Sequence, residues 1–231
     1  LVEVEDLSVH FYLSEGTVHA VNGVSFTIRQ GKTLGVIGES GSGKSVSAQA
    51  IMGILPIPPA KLESGRITMH IPENGAGFRS VTLTELPIRG SEYRSIRGKE
   101  IGIIFQEPMT AFSPVHTIGN QIMESILLHI PGITKKQARE QAIEILRRVG
   151  IPRAERRVDA YPHQFSGGMR QRAMIAMALA CNPKLVIADE PTTALDVTTQ
   201  AQILKLIKQL QARHGTGVLF ITHDFGVVAD I

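Results

Sequence analysis

The 231-residue sequence sets 24 Lys and Arg against 21 Asp and Glu, a net charge of +3, with 43% hydrophobic and 19% charged residues. That balance excludes a disordered or fibrous chain, and so small a net charge is no footprint of nucleic-acid binding. One cysteine, Cys181, excludes an internal disulfide framework or multi-cysteine metal site, and the longest apolar run, Ala173 to Cys181, falls far short of the ~20 residues that span a bilayer.

In chain order, Leu7-Ser8-Val9-His10-Phe11 and Val24-Ser25-Phe26-Thr27-Ile28 alternate apolar and polar, which predicts half-buried antiparallel strands. Leu34 to Ile37 is the first of three short apolar runs; Leu185 to Ala188 and Val218 to Ile221 are the others. Runs of this kind, flanked by Gly, Pro or charges, predict buried parallel strands. Val46 to Ile54 is compatible with a helix, and Ile101 to Phe105 with a strand. Pro72 to Gly90 shows little periodicity and reads as an irregular surface insertion. Thr134-Lys135-Lys136-Gln137 is a capping box that opens a helix through Ala138, Ala142 and Val149, with Gly150 as its stop. A further helix runs from about Thr198 to His214, with Ile203, Leu206, Ile207 and Leu210 on one face.

Some conspicuous residues read as ordinary packing or solvated surface. Arg147, Arg148, Arg153, Arg156 and Arg157 cluster with Glu155 and Asp159 and with no interleaved aromatics, as a solvated helix end does. Met169, Met174 and Met177 are expected to pack a helix, and Cys181 to be a buried thiol. The histidines, His10 and His19 among them, show no paired spacing that marks a metal site.

Gly38-Glu39-Ser40-Gly41-Ser42-Gly43-Lys44-Ser45 completes the pattern G-x-x-x-x-G-K-[ST] directly after the strand Leu34 to Ile37. Its glycines let backbone N–H groups turn toward phosphates, and the following helix start adds positive potential. Lys44 then neutralises β- and γ-phosphates, and Ser45 holds Mg²⁺. Asp189, at the end of Leu185 to Ala188, suits Mg²⁺ held through water, and Glu190 suits orientation or deprotonation of an attacking water. All three parallel strands lead into such polar clusters, and open α/β sheets bind ligands beyond their carboxyl ends.

Phe165-Ser166-Gly167-Gly168-Met169-Arg170-Gln171-Arg172 separates this chain from other phosphate-loop NTPases. With it the sequence resembles the ATP-binding-cassette (ABC) family, whose signature is a Ser-Gly-Gly loop opening a helix before the second acidic strand. The resemblance extends to Gln106 as the Q-loop glutamine, Ala194-Leu195-Asp196 as the D-loop and His223 as the switch histidine. Phe11, with Tyr12 as runner-up, aligns with the aromatic that stacks on adenine. Tyr161 to Arg172, Glu107-Pro108-Met109-Thr110 and Ala194 to Gln200 are similar to the ATPase subunits of oligopeptide, dipeptide and nickel importers. Met169 stands where that signature more commonly has Gln, which leaves the backbone anion site of Ser166, Gly167 and Gly168 unaltered.

The resemblance implies an α/β phosphate-loop core with an antiparallel β subdomain, formed by 1–110 and 182–231, and an inserted helical subdomain, 111–181. It implies ATP and Mg²⁺ as cofactors, with Ser45, Gln106 and Asp189 around the metal, Glu190 as base and His223 at the γ-phosphate. Two subunits packed head to tail would bring Ser166 of one to the Lys44 loop of the other, with Asp196 at the interface. The implied partners are separate membrane permeases, a second ATPase subunit (identical or a paralogue) and, indirectly, a solute-binding protein, at the cytoplasmic face of the inner membrane. The alternative is a soluble ABC ATPase acting on nucleic acid or ribosomes; the lack of sustained heptads and of a second cassette weighs against it. The chain starts at Leu1 and stops at Ile231, shortly past His223, so a C-terminally truncated cassette is expected.

Overall fold

The computed structural model describes residues 1–73, 77–192, 197–224 and 226–227. Asp196, with Ala194 and Leu195, lies outside the described residues.

The alternating N-terminal residues form a long hairpin, β1 (Val2–Leu13) paired antiparallel with β2 (Gly16–Ile28). Val2, Val4, Leu7 and Val9 turn inward and are buried. Two further strands, β4 (Ala60–Pro72) and β5 (Phe78–Thr82), complete a four-stranded antiparallel sheet in the order β2-β1-β4-β5. The stretch expected to be an irregular insertion is thus partly regular: β5 pairs with β4, and Leu83–Glu85 forms one 3₁₀ turn. The edge strand is only five residues long and buries Val81 alone, so no alternation shows in its sequence.

The second sheet is parallel, in the order β3-β8-β7-β6, built from β3 (Thr33–Ile37), β6 (Ile101–Ile104), β7 (Leu185–Asp189) and β8 (Gly217–Thr222). Its two central strands are buried at every residue, which is why they read as continuous apolar runs. Successive side chains point to opposite faces, and the sheet therefore feeds two cores. Leu185, Ile187, Leu219 and Ile221 join the antiparallel sheet and helix α1 (Lys44–Met52). Val186, Ala188, Val218 and Phe220 join the helical core on the other side.

That helical core is threaded between β6 and β7. It comprises α3 (Pro108–Ala111), α4 (Ile118–His129), α5 (Lys135–Arg148), α6 (Ala154–Arg157) and α7 (Gly167–Ala178), while α2 (Ser91–Ile96) precedes β6 and α8 (Val197–His214) follows β7. The capping box of α5 forms as expected, Gln137 N donating to Thr134 Oγ1 at 3.3 Å and Thr134 N to Gln137 Oε1 at 2.9 Å. Gly102 lets α7 lie directly on β6, since a Cβ there would meet Ala178 O at 2.2 Å. Met174 is fully buried and Met169 and Met177 pack partly against the same core, whereas Cys181 is only half-buried, beside Ser125. Arg147 bridges Glu144 and Glu155 and Arg148 pairs with Glu144, so part of that cluster's charge is compensated locally. No helix among the described residues is long and apolar enough to cross a membrane.

Candidate functional site

The phosphate loop joins β3 to α1 at the parallel sheet's carboxyl edge. Gly43, the residue before α1, takes φ +87, and a Cβ there would lie 2.1 Å from Ala20 O of β2. Only glycine satisfies both conditions, so the loop is wedged between its own helix and the antiparallel layer. Lys44 Nζ donates to Gly38 O at 2.7 Å, to Glu39 O at 2.6 Å and to Ser42 Oγ at 3.4 Å. The ammonium group thus occupies the mouth of the loop formed by Gly38, Glu39, Ser40, Gly41 and Ser42. Carbonyl oxygens hold it where phosphate oxygens are a stronger, charged partner.

Ser45, one residue into α1, donates from Oγ to Asp189 Oδ1 at 3.0 Å. Asp189 ends the buried strand β7, and burial pushes its carboxyl above the usual carboxylate range. The Ser45 hydrogen bond opposes that rise, the charge of Glu190 adds to it and Lys44 opposes it. A serine hydroxyl and a carboxylate this close form a hard oxygen pair suited to Mg²⁺, which is commonly held by one or two protein oxygens with phosphates and water completing the shell.

Glu190 is the centre of a second group. Gln106 Nε2 donates to Glu190 Oε2 at 3.0 Å, and His223 Nδ1 lies 3.2 Å from the same oxygen. The three come from the ends of β6, β7 and β8, so the parallel register alone brings them together. Glu190 has φ +46, a left-handed conformation that a non-glycine residue adopts only under constraint, and its N–H donates to Ile221 O at 2.9 Å. Sequence reasoning missed this feature, because no residue pattern marks it. It also missed Gln171, which is buried on α7 and donates from Nε2 to Pro191 O. That bond ties the signature helix to the residue after Glu190.

Ser166 caps α7, accepting at Oγ from Met169 N at 3.3 Å, with Gly167 and Gly168 forming the first turn. No hydrogen bond or ion pair among the described residues joins Ser166 to the phosphate loop. Phe11 is half-buried against the antiparallel core, whereas Tyr12 Oη donates to Glu63 Oε1 at 2.5 Å and its ring lies 5.9 Å from Lys61 Nζ. Tyr12 is therefore engaged in the outer face of the sheet. His10 Nε2 and His19 Nδ1 meet at 3.0 Å on paired strands, a contact not evident from spacing, yet no cluster of three metal-binding side chains occurs among the described residues. A cavity of about 580 Å³ beneath the loop is walled by Val21, Phe26, Leu34 and Val36 among others; Gln106, Asp189, Glu190 and His223 do not line it. The polar chemistry sits at the strand ends instead.

A family model described as "ABC transporter" matches residues 21–193. The chain belongs to the ABC transporter family. It is 52% identical over 231 residues to the oligopeptide transport ATP-binding protein OppD of Bacillus subtilis, covering all of this chain and 61% of that protein. Identity is 50% to the dipeptide transport ATP-binding protein DppD of Bacillus subtilis and 49% to OppD of Salmonella typhimurium, with 65% of each covered. The chain thus spans less than two thirds of the length of these relatives. Among solved structures, the dimeric bacterial ABC transporter cassette MJ0796 aligns with a TM-score of 0.84 and 28% identity, covering 100% of this chain and 91% of that one. A post-hydrolysis MJ0796 dimer bound to ADP and Pi aligns equally well. The cassette cbiO1 of Clostridium perfringens, part of the cbiONQ complex, aligns with a TM-score of 0.71 and 28% identity, over 98% of this chain and 80% of its own. These ABC cassettes share the two-sheet phosphate-loop fold.

Proposed function

We propose that this chain is the ATP-binding and ATP-hydrolysing part of an ABC importer for peptides or similar small solutes. One observation carries the reading: Ser45–Asp189 and Gln106–Glu190–His223 converge at the carboxyl ends of adjacent strands beside the Lys44 loop. In this reading Gly38 to Gly43 and Lys44 cradle the phosphates of ATP, and Phe11 stacks on adenine. Ser45, Asp189 and Gln106 would hold Mg²⁺, which would supply charge neutralisation for the phosphates. Glu190 accepts a proton from the attacking water, and His223, on the same carboxylate oxygen, holds the γ-phosphate side of the site. Lys44 Nζ has all three protons directed at Gly38 O, Glu39 O and Ser42 Oγ, so it exchanges at least one of these partners to engage phosphate.

The names of the peptide-transport relatives support the substrate class. The dimeric cassette supports a pair of subunits; packed head to tail, Ser166, Gly167 and Gly168 of one would complete the partner's phosphate site, with Asp196 between them. Residues 111–181 then act as a helical arm on a core of 1–110 and 182–231, and Gln171 carries signature-helix movement to Pro191 and so to Glu190. Permease subunits supply the membrane path, with a solute-binding protein upstream and the ATPase held at the membrane's inner face. A role on nucleic acid or ribosomes gains no support from these relatives.

The test is ATP turnover beside equilibrium nucleotide binding. Glu190→Gln should bind Mg-ATP about as tightly as the wild type yet lose at least ~100-fold in turnover, within the 10²–10⁴-fold range of a general base. Turnover near the wild-type level in that variant would remove Glu190 from the proton-transfer role.

A further inference from the structure

The parallel sheet has a second end, away from the Gln106–Glu190–His223 group, and a cavity of about 590 Å³ lies there. Its wall carries Arg94 and Arg97 of the α2 region, Lys99 at the entry to β6, His129 at the end of α4, and Ser91 and Ser95. No carboxylate lines it. Arg94's guanidinium has no hydrogen-bond or ion-pair partner among the described residues. Arg97 donates from Nη2 to Ile88 O and lies over the Tyr93 ring at 5.0 Å, which leaves its Nε buried with no acceptor. A buried donor left unpaired is costly, and a shift of this side chain toward a ligand oxygen would relieve it.

The charges are only partly compensated. Glu100 lies 3.8 Å from Lys99, whose side chain remains 52% exposed. His129 registers the resulting field: burial holds its imidazole below the ordinary histidine value, Lys99 lowers it further and Glu100 opposes. On its other side the His129 Nε2 packs against Gly98, as does the hydroxyl of Ser125, which faces Cys181. Leu128, 73% exposed, stands at the rim, and Leu127 follows the same turn of α4.

We propose that this pocket binds a phosphate-bearing anion. Two guanidinium groups and an ammonium offer donors only, the guanidinium forks matching phosphate oxygens; Ser91 adds a hydroxyl, the Ser95 proton being donated to Glu92 O, and no carboxylate lines the wall. The phosphate arrives either as a free phosphate or as an anionic lipid headgroup whose apolar part lies along Leu128.

The experiment follows the His129 imidazole by NMR in the 231-residue chain during titration with inorganic phosphate at constant ionic strength. It is run in the wild type and in Lys44→Ala, which removes the phosphate loop's lysine. Saturable movement of the His129 titration midpoint to higher pH is expected in both. Arg94→Gln combined with Lys99→Gln, at exposed positions that leave the core intact, should weaken phosphate binding by about tenfold or more, the scale of one lost charge-assisted hydrogen bond. A midpoint that does not move, or a response that survives unchanged in the double variant, overturns the proposal. Co-sedimentation with phosphatidylcholine vesicles, with and without phosphatidylglycerol, identifies the source. Retention that needs both phosphatidylglycerol and Arg94/Lys99 assigns the site to lipid. Saturable phosphate binding without such retention assigns it to a free phosphate.

Discussion

A carboxylate at the end of a buried parallel strand is held there against its own desolvation, and Asp189 shows the consequence. Its folded pKa lies above the ordinary value because burial outweighs the Ser45 hydrogen bond. The folded chain therefore binds the proton more tightly than the unfolded chain, and stability declines as pH rises from the ordinary carboxylate range through the raised value. Above that interval the charge is a constant penalty, which a divalent cation bound as proposed would offset. Asp189→Asn keeps an acceptor for Ser45 and removes the charge. Without nucleotide it should be more stable than the wild type at pH 7, by on the order of 1 kcal/mol, the scale of an uncompensated buried polar group. Urea denaturation midpoints measure this, and the advantage should vanish as pH falls into the ordinary carboxylate range. A variant less stable at pH 7 would show that Lys44 and Ser45 hold the charged form more strongly than burial opposes it.

At the scale of elements, two helices begin with the same chemistry and serve different ends. Thr134 caps α5 and Ser166 caps α7, each accepting a backbone N–H at 3.3 Å. Replacement of either by Ala should cost about 1 kcal/mol of stability, read by thermal or urea denaturation. Only Ser166→Ala should also weaken ATP-dependent association, measured by light scattering; an equal effect from Thr134→Ala would reduce Ser166 to a cap. Both caps are legible in sequence because a cap is a local bargain among three or four consecutive residues. The same holds for the phosphate loop, whose glycines and lysine answer to one ligand at fixed spacing, and for β7 and β8, whose burial on both faces leaves an unbroken apolar run. What escaped the sequence depends on partners far along the chain. β5 is a strand because β4 offers it an edge, and the Tyr12 hydroxyl is held by Glu63, far along the chain. Gln171 looks like any polar helical residue until Pro191 O is found to be its acceptor, and the left-handed turn at Glu190 is set by β8 through Ile221.

For the molecule as a whole, the division of the parallel sheet between two cores separates the Lys44 loop from Ser166. The Lys44 loop belongs to the side of α1 and the antiparallel sheet, while Ser166 belongs to the helical core threaded between β6 and β7. No bond among the described residues joins them within one chain, so the proposed head-to-tail pairing requires that the second chain supply the missing half. This arrangement makes a complementation test possible. In a Glu190→Gln background, Mg-ATP should produce a stable dimer on size-exclusion chromatography. Adding Lys44→Ala removes phosphate binding from both sites of that dimer, and adding Ser166→Ala weakens both from the opposite side. Mixed in equal amounts, the two double variants form a heterodimer with one site damaged twice and one site intact, because its Lys44 comes from one chain and its Ser166 from the other. ATP-dependent dimer should therefore reappear in the mixture, with about one tightly held nucleotide per two chains, read by radiolabelled ATP retention. Sites completed within a single chain predict the contrary: each heterodimer carries one Lys44-deficient and one Ser166-deficient site, and mixing restores nothing.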